Sequence, residues 1–154
     1  MTATNHVLTG AAIALAVKQP GIAVPLSFLS HFALDALPHF GVPLVDVFER
    51  NAKRSVRIVI PVDVILTVTA FVVLTFLVHA SVASWVVLAC MAAAYAPDSV
   101  WAYRFVREIK TRQWRPGSWF SRFHEFIQWG EREWGIWVEL AWLVMICSVI
   151  ARIV

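Results

Sequence analysis

The sequence predicts an all-α, polytopic helical membrane protein, and three observations lead to this fold class. Hydrophobic residues make up 60% of the 154 positions and charged residues only 15%, with a mean hydropathy of +0.71, a balance outside the range of ordinary soluble domains. The apolar residues form about five segments separated by polar stretches, as expected for helices that cross a bilayer. Eight Trp and ten Phe favour aromatic belts at the two membrane interfaces.

The first two segments are expected to form a helical hairpin. Segment one runs from about Thr4 to Val17 and is rich in Gly and Ala, which would let another helix pack closely. At ~1.5 Å per residue it covers about 21 Å, so it is either a half-span or a helix in a thinned bilayer. The stretch 18–21 predicts a turn, and segment two runs from Ile22 to about Pro38.

Three further apolar segments follow, and their expected bounds are Ile58 to about Val78, Ser84 to about Tyr103, and Ile136 to Val154. The stretch 104–135 mixes Arg and Lys with Trp and Phe, which predicts an interfacial amphipathic element before the last segment. We expect it to break at Pro116-Gly117 and to be helical from Ser118 to Glu133. Because there is no internal repeat or low-complexity linker, residues 1–154 are expected to form one membrane-embedded domain.

The basic residues predict the topology. Eleven of the thirteen Lys and Arg lie in two stretches, four in 40–57 and seven in 104–135, and the positive-inside rule places both in the cytoplasm. If segment one spans, the N-terminus is also cytoplasmic, and we expect a prokaryotic inner (plasma) membrane. The net charge of +3 could suggest nucleic acid, but the basic residues flank apolar segments. We therefore expect no nucleic acid partner and instead expect anionic phospholipid headgroups.

The stretch 30–40, SHFALDALPHF, carries His31, Asp35 and His39 at every fourth position. On a helix this spacing stacks the three side chains along one face, about 6 Å apart. Ionisable groups in an otherwise apolar helix are costly in a bilayer unless they are paired, hydrated or bound to a metal. Imidazole and carboxylate are ligands of zinc and related divalent ions. The spacing therefore predicts a metal site, and the alternative is a buried polar network in which Asp35 holds two histidines.

Other polar residues are predicted to lie at the same membrane level, and they are His6, Asp63, Asp98, His124 and Glu139. Six chain regions thus deliver His, Asp or Glu to the cytoplasmic side, as a shared inward-facing site requires. Structural alternatives remain open for each of them. Asp63 could cap a helix, Asp98 could serve a kink at Pro97, and Glu139 could pair with Arg132. His6 could be an ordinary interfacial residue, and His124 could lie on a solvated helix face.

The ordered pattern of these residues resembles the YdjM-like family of inner-membrane metal-dependent hydrolases, itself distantly similar to zinc-dependent phospholipase C. The likeness covers most of the chain, and its most specific part is the SHxxLDxxPH pattern of 30–39, followed by Pro97-Asp98 and by FHEFIQW at 123–129. The resemblance implies a metal set, namely His6, His31, Asp35 and Asp98, with His39 as a further candidate. Many members carry a second acid or His after Pro97-Asp98, where this chain has Ser99 and Val100, so a full multi-metal set is not expected.

The residues and the resemblance together predict a membrane-bound metal-dependent hydrolase. One or two divalent ions, Zn²⁺ first and Mn²⁺ or Fe²⁺ as alternatives, would activate water against an ester or phosphoester of a lipid in the cytoplasmic leaflet. Asp63, His124 and Glu139 are assigned to catalytic or supporting roles. The alternatives are a divalent-cation or proton transporter or channel that uses the same residues, and a non-catalytic membrane protein that retains them. A homo-oligomer is left open.

Overall fold

The computed structural model describes residues 1–41, 54–76, 82–111 and 117–154. Within these ranges the chain is helical and contains no β-strand, which confirms the all-α class. The helices are α1 (Ala3–Val17), α2 (Pro20–Asp35), α3 (Arg54–Phe76), α4 (Ser84–Thr111), α5 (Trp119–Ile127) and α6 (Ile136–Ile153), with 3₁₀ turns Gln128–Gly130 and Glu133–Gly135 before α6. Three predicted features lie outside the described residues, namely the end of segment three near Val78, Pro116 at the predicted break, and most of the basic stretch 40–57.

Three helical stretches of the described chain are long and apolar enough to cross a membrane, and they are Ile58–Phe76, Ser84–Arg104 and Glu133–Ile153. They correspond to predicted segments three, four and five. Helices α1 and α2 have 15 and 16 residues, fewer than the roughly 20 that a bilayer span needs. The first segment is therefore short, as its sequence predicts.

The turn between α1 and α2 follows from the residues at 18–21. Lys18 ends α1 in the left-handed conformation, with φ of 60°, and donates its N–H to the carbonyl of Ala14. Pro20 begins α2, where its missing N–H costs nothing, and the side chain of Gln19 caps the helix by accepting from Ile22 N at 2.7 Å. This tight turn forms the expected hairpin.

Helix α1 is the centre of the bundle, because it packs against α2, α3, α4 and α6. Its small residues make this possible. A Cβ at Gly10 would lie 2.6 Å from the carbonyl oxygen of Cys90 and 2.9 Å from the Cβ of Ala94 on α4, closer than atoms can approach. The absent side chain therefore lets the backbones of α1 and α4 touch.

The chain after α2 is tied to the segment between α5 and α6. Helix α2 ends at Asp35 rather than near Pro38. A proline disfavours the helical conformation of the residue before it, which here is Leu37. His39 then forms a parallel bridge with Glu131, and its carbonyl accepts from Arg132 N at 2.9 Å. Because those backbone groups bond to His39, the α-helix predicted from 118 to 133 ends at Ile127, and 3₁₀ turns follow it. The bonds to His39 hold the end of α2 beside α5.

Candidate metal centre

Four side chains from three helices converge on one point. His31 and Asp35 come from α2, Asp98 from α4 and His124 from α5, and one ligand atom of each lies within 4.8 Å of all the others. His31 and Asp35 are fully buried, His124 is 4% exposed, and Asp98 is the most accessible at 22%. The spacing of four residues places His31 and Asp35 on one face of α2, as predicted. This group could hold a metal ion.

The distances in the group suit a small divalent ion. Asp35 Oδ2 lies 2.9 Å from His124 Nε2 and 3.1 Å from His31 Nε2, and the two Nε2 atoms are 2.9 Å apart. Asp98 Oδ1 lies 3.7 and 3.9 Å from the same two nitrogens. Tetrahedral zinc, with bonds of ~2.0–2.1 Å, holds neighbouring ligand atoms roughly 3.3 Å apart. The four residues therefore fit such an ion with small adjustments, and its charge would balance the two carboxylates.

The tautomer of His31 is fixed by a hydrogen bond outside the group. His31 Nδ1 lies 2.8 Å from the carbonyl oxygen of Ala94. Because a carbonyl only accepts, Nδ1 must carry the proton, and in the neutral ring Nε2 then presents a lone pair. That lone pair points towards Asp35 and His124. Metal-binding histidines in proteins are oriented by the same kind of bond.

His6 lies next to the group rather than in it. Its Nε2 is 3.0 Å from Asp35 Oδ1, and its ring stacks on that of His31 at 3.9 Å between centroids. The α-amino group of Met1 contacts the same oxygen at 2.5 Å. One oxygen of Asp35 thus bonds to α1 and its N-terminal extension, while the other faces the two histidines. His6 Nδ1 is buried and finds no hydrogen-bond partner among the described residues.

Asp63 and Glu139 bind the start of α1. Asp63 accepts from the backbone N–H groups of Ala3 and Thr4, both at 2.9 Å. Glu139 accepts from the N–H of Thr2 at 2.9 Å and from the side-chain amide of Asn5, also at 2.9 Å. These acceptors are needed because the N-cap Thr2 makes no capping bond through its own side chain within the described chain. Both carboxylates therefore hold α1 in place and stand outside the four-residue group.

His39 also lies outside the group. Its Nδ1 donates to the carbonyl of Leu37 at 2.7 Å, and its backbone joins the bridge with Glu131. Burial, followed by the nearby α-amino group, lowers the pKa of the His39 imidazole below its usual 6.5. Burial likewise raises the pKa of the Glu131 carboxyl. The third member of the predicted stripe therefore ties two segments together, and its place among the ligands stays a prediction.

A small, partly open cleft adjoins the group, and it is lined by Pro97, Val100, Arg104, Phe120, Ser121 and His124. His124 belongs to both the cleft and the group, so the cleft lies next to the converging ligand atoms. On α5 His124 is buried, whereas Trp119 is 73% and Phe126 77% exposed. Helix α5 thus buries its histidine and presents aromatic side chains outward, as an interfacial helix does.

Sequence reasoning missed two contributors to the site. Gln128 Nε2 lies 3.4 Å from both Asp35 Oδ2 and His124 Nε2, and its position four residues after His124 could have indicated this. The carbonyl of Ala94 orients His31 through the backbone, for which a sequence carries no signal. The chain matches no protein-family model, no curated protein and no solved structure.

Proposed function

We propose that this protein is a membrane-embedded, metal-dependent hydrolase that cleaves an ester or phosphoester of a lipid. The observation that carries the proposal is the lone pair of His31 Nε2, fixed by Ala94 and directed at the point where Asp35 and His124 also converge. A buried nitrogen and a carboxylate oxygen 3.1 Å apart repel each other unless a proton or a cation lies between them. A divalent ion satisfies all three atoms together.

Zn²⁺ is the ion that we propose, with Mn²⁺ or Fe²⁺ as alternatives. The imidazoles of His31 and His124 and the carboxylate of Asp35 form a borderline donor set that suits zinc, and they would leave a fourth position for water beside Asp98. The ordered likeness of the chain to the YdjM-like hydrolases supports the same assignment.

The bound ion would lower the pKa of a water molecule and polarise the oxygen of the bond to be cleaved. His31 and His124 would hold it through Nε2, and Asp35 through Oδ2. His6 keeps Asp35 in place by binding its other oxygen at 3.0 Å. Asp98 is the most accessible of the four side chains, so it would lie on the side open to water and could accept a proton from it.

The location of the group supports a lipid substrate. Asp98 lies six residues before the end of the candidate span Ser84–Arg104, and His124 lies on α5, just before the span Glu133–Ile153. If these stretches cross a bilayer, both positions would lie near its edge, where exposed aromatic side chains such as Trp119 and Phe126 are favoured. With the positive-inside rule, we place the site at the cytoplasmic face of an inner membrane, next to anionic phospholipid headgroups.

Metal-dependent hydrolysis in detergent tests the proposal. Purified protein would be stripped with a chelator, reloaded with Zn²⁺, Mn²⁺ or Fe²⁺, and assayed on short-chain phosphatidic acid, phosphatidylglycerol and diacylglycerol in mixed micelles. We expect turnover only after reloading, and no turnover in His124→Asn. His39→Asn is the matched control and should retain activity.

Two results would overturn the hydrolase assignment. One is the absence of metal binding after reloading, which would leave the group as a buried polar network. The other is metal binding without hydrolysis together with Zn²⁺ or Mn²⁺ uptake into proteoliposomes, which would support a transporter instead.

A further inference from the structure

We propose that Gln128 is a positioning residue of the metal centre, which fixes the orientation of the Asp35 carboxylate by donating an amide N–H to its Oδ2. This inference rests on the metal centre of the proposed function, but not on the hydrolysis assigned to it. It gives a role to a residue that is not itself one of the four converging side chains.

Gln128 reaches the group because the helical geometry continues to the end of α5. The residue is the C-cap of α5, and its backbone N–H donates to the carbonyl of His124, four residues earlier. Side chains four residues apart on a helix lie on the same face. The side chain of Gln128 therefore extends beside the buried His124, and its Nε2 lies 3.4 Å from both His124 Nε2 and Asp35 Oδ2.

The side-chain amide can address Asp35 only through its nitrogen. An ionised carboxylate accepts hydrogen bonds and donates none, so the amide oxygen of Gln128 would repel Oδ2. The distance of 3.4 Å is longer than the ~2.7–3.2 Å of an ordinary N–H···O bond. Two imidazole nitrogens lie closer to the same oxygen, His124 Nε2 at 2.9 Å and His31 Nε2 at 3.1 Å. The amide is thus the outermost of these three nitrogens around Oδ2.

Metal binding would change the partners of Oδ2. With an ion held by His31, His124 and Asp35, both Nε2 atoms direct lone pairs at the ion and cannot donate to the carboxylate. Oδ2 then shares one lone pair with the ion and keeps another for a hydrogen bond. Among the described residues, Gln128 is the remaining donor within reach of this atom. Carboxylates that bind metals in proteins are themselves hydrogen-bonded, which sets their orientation.

The other oxygen of the carboxylate is already held. Asp35 Oδ1 lies 3.0 Å from His6 Nε2, on the side of α1. A donor at Oδ2 therefore holds the carboxylate at both oxygens and defines its plane, so less rotational freedom is lost when the ion binds. Gln128 should thus raise the affinity for the ion without binding it.

Metal affinity, measured apart from turnover, tests this inference. The probes are Zn²⁺, titrated against a chromophoric chelator, and Co²⁺, whose visible absorption reports the geometry of its ligands, each added to the whole chain in detergent. The test variant is Gln128→Met, which keeps the length of the side chain and removes its donors. Phe123→Leu is the matched control, because the apolar ring of Phe123 joins α5 to α2 by packing on Phe32, with 5.5 Å between centroids.

We expect Gln128→Met to bind Zn²⁺ about 10–100-fold more weakly than wild type, as is typical when a ligand loses its outer hydrogen bond, and to show altered Co²⁺ bands. Gln128→Asn keeps the amide on a shorter side chain and should fall between the two. Phe123→Leu should unfold at a lower temperature but keep the Zn²⁺ affinity and the Co²⁺ spectrum of wild type. A glutamine that only packed α5 against α2 would behave as Phe123 does.

Equal Zn²⁺ affinity and equal Co²⁺ spectra in wild type and Gln128→Met would overturn the inference, and so would an equal loss of affinity in Phe123→Leu. Should Gln128→Met fail to fold, Gln128→Asn decides, and wild-type affinity in that variant overturns the inference. The two proposals fail separately. Gln128-dependent metal binding without hydrolysis contradicts only the hydrolase, whereas metal-dependent hydrolysis with Gln128-independent metal binding contradicts only the role of Gln128.

Discussion

His31 Nδ1 and the carbonyl oxygen of Ala94 are joined by a buried hydrogen bond of 2.8 Å between α2 and α4. This bond decides which nitrogen of His31 faces the rest of the group. The histidine therefore has two separable functions, since Nδ1 connects two helices and Nε2 is the candidate ligand.

Substituting His31 by Asn should separate these functions. The Asn amide can reproduce the Nδ1 donor to Ala94 but cannot reach the position of Nε2. We expect the variant to fold and its zinc affinity to fall by at least the roughly 10–100-fold typical of outer-shell changes, because a ligand itself is lost. Elemental analysis after dialysis against buffered Zn²⁺ measures this. His39→Asn should retain wild-type zinc content, and zinc loss in that variant would show that His39 is a ligand, as the sequence pattern predicts.

Asp63 is expected to stabilise the protein through the start of α1. Asp63→Asn removes one of the two oxygens that accept from Ala3 and Thr4, which should lower the free energy of unfolding by about 1–3 kcal/mol. Thermal unfolding in detergent, followed by Trp fluorescence, would report it. The folded variant should keep its zinc and its kcat. A normal melting temperature combined with a large loss of kcat would instead support the catalytic role predicted from the sequence.

Gly10 should tolerate no side chain. In Gly10→Ala the new Cβ meets the backbone of Cys90, which cannot move without separating α1 from α4, so we expect a loss of about 1–3 kcal/mol. Gly21→Ala is the matched control. The nearest atoms to its Cβ would be those of the Gln19 side chain, at 3.3 Å, so at most the capping bond to Ile22 N would be disturbed and the loss of stability should be smaller. Chemical or thermal unfolding of both variants tests the difference, and equal stability would contradict the close contact of α1 and α4.

His39 should make stability depend on pH. Its pKa is lowered from 6.5 in the folded protein, first because burial disfavours the charged imidazole and next because of the nearby α-amino group, although Asp35 and Glu139 oppose the shift. A lowered histidine pKa means that the folded state prefers the neutral ring. The stability that comes from keeping His39 neutral is therefore fully present above pH 6.5, and it is lost as the pH falls from 6.5 towards the pKa of His39 in the folded protein.

The substitution His39→Gln removes this contribution. Melting temperatures of wild type and variant would be compared at intervals from pH 8 to pH 5. The wild type should lose more stability than the variant over the acidic part of that range. Parallel curves for the two proteins would contradict a buried neutral His39.

Part of the site could be predicted because it depends on local periodicity. His31 and Asp35 are four residues apart on a helix that continues between them, so their shared face follows from the sequence alone. His39 has the same spacing, but α2 ends at Asp35, before Pro38, and a periodic pattern holds only while the helix continues. The stripe of three thus becomes a pair.

The roles of Asp63, Glu139 and His124 depended on packing between distant segments. All three were expected at one membrane level, but level does not decide which group a carboxylate meets. The backbone N–H groups at the start of α1 donate hydrogen bonds to Asp63 and Glu139. A helix end without its own side-chain cap needs such acceptors from neighbouring helices. His124 reaches the group because the segment after α5 bonds to His39 and holds α5 beside the end of α2.

The sequence by itself determined the helical class, the apolar segments and the His31–Asp35 pair, because these depend on composition and on spacing along one helix. Only the tertiary structure decided that Asp98 and His124 complete the group, that His6 lies behind Asp35, and that Arg104 faces the adjoining cleft. These arrangements depend on which backbone donors and helix faces meet in three dimensions, and the spacing of residues along the chain does not predict such contacts.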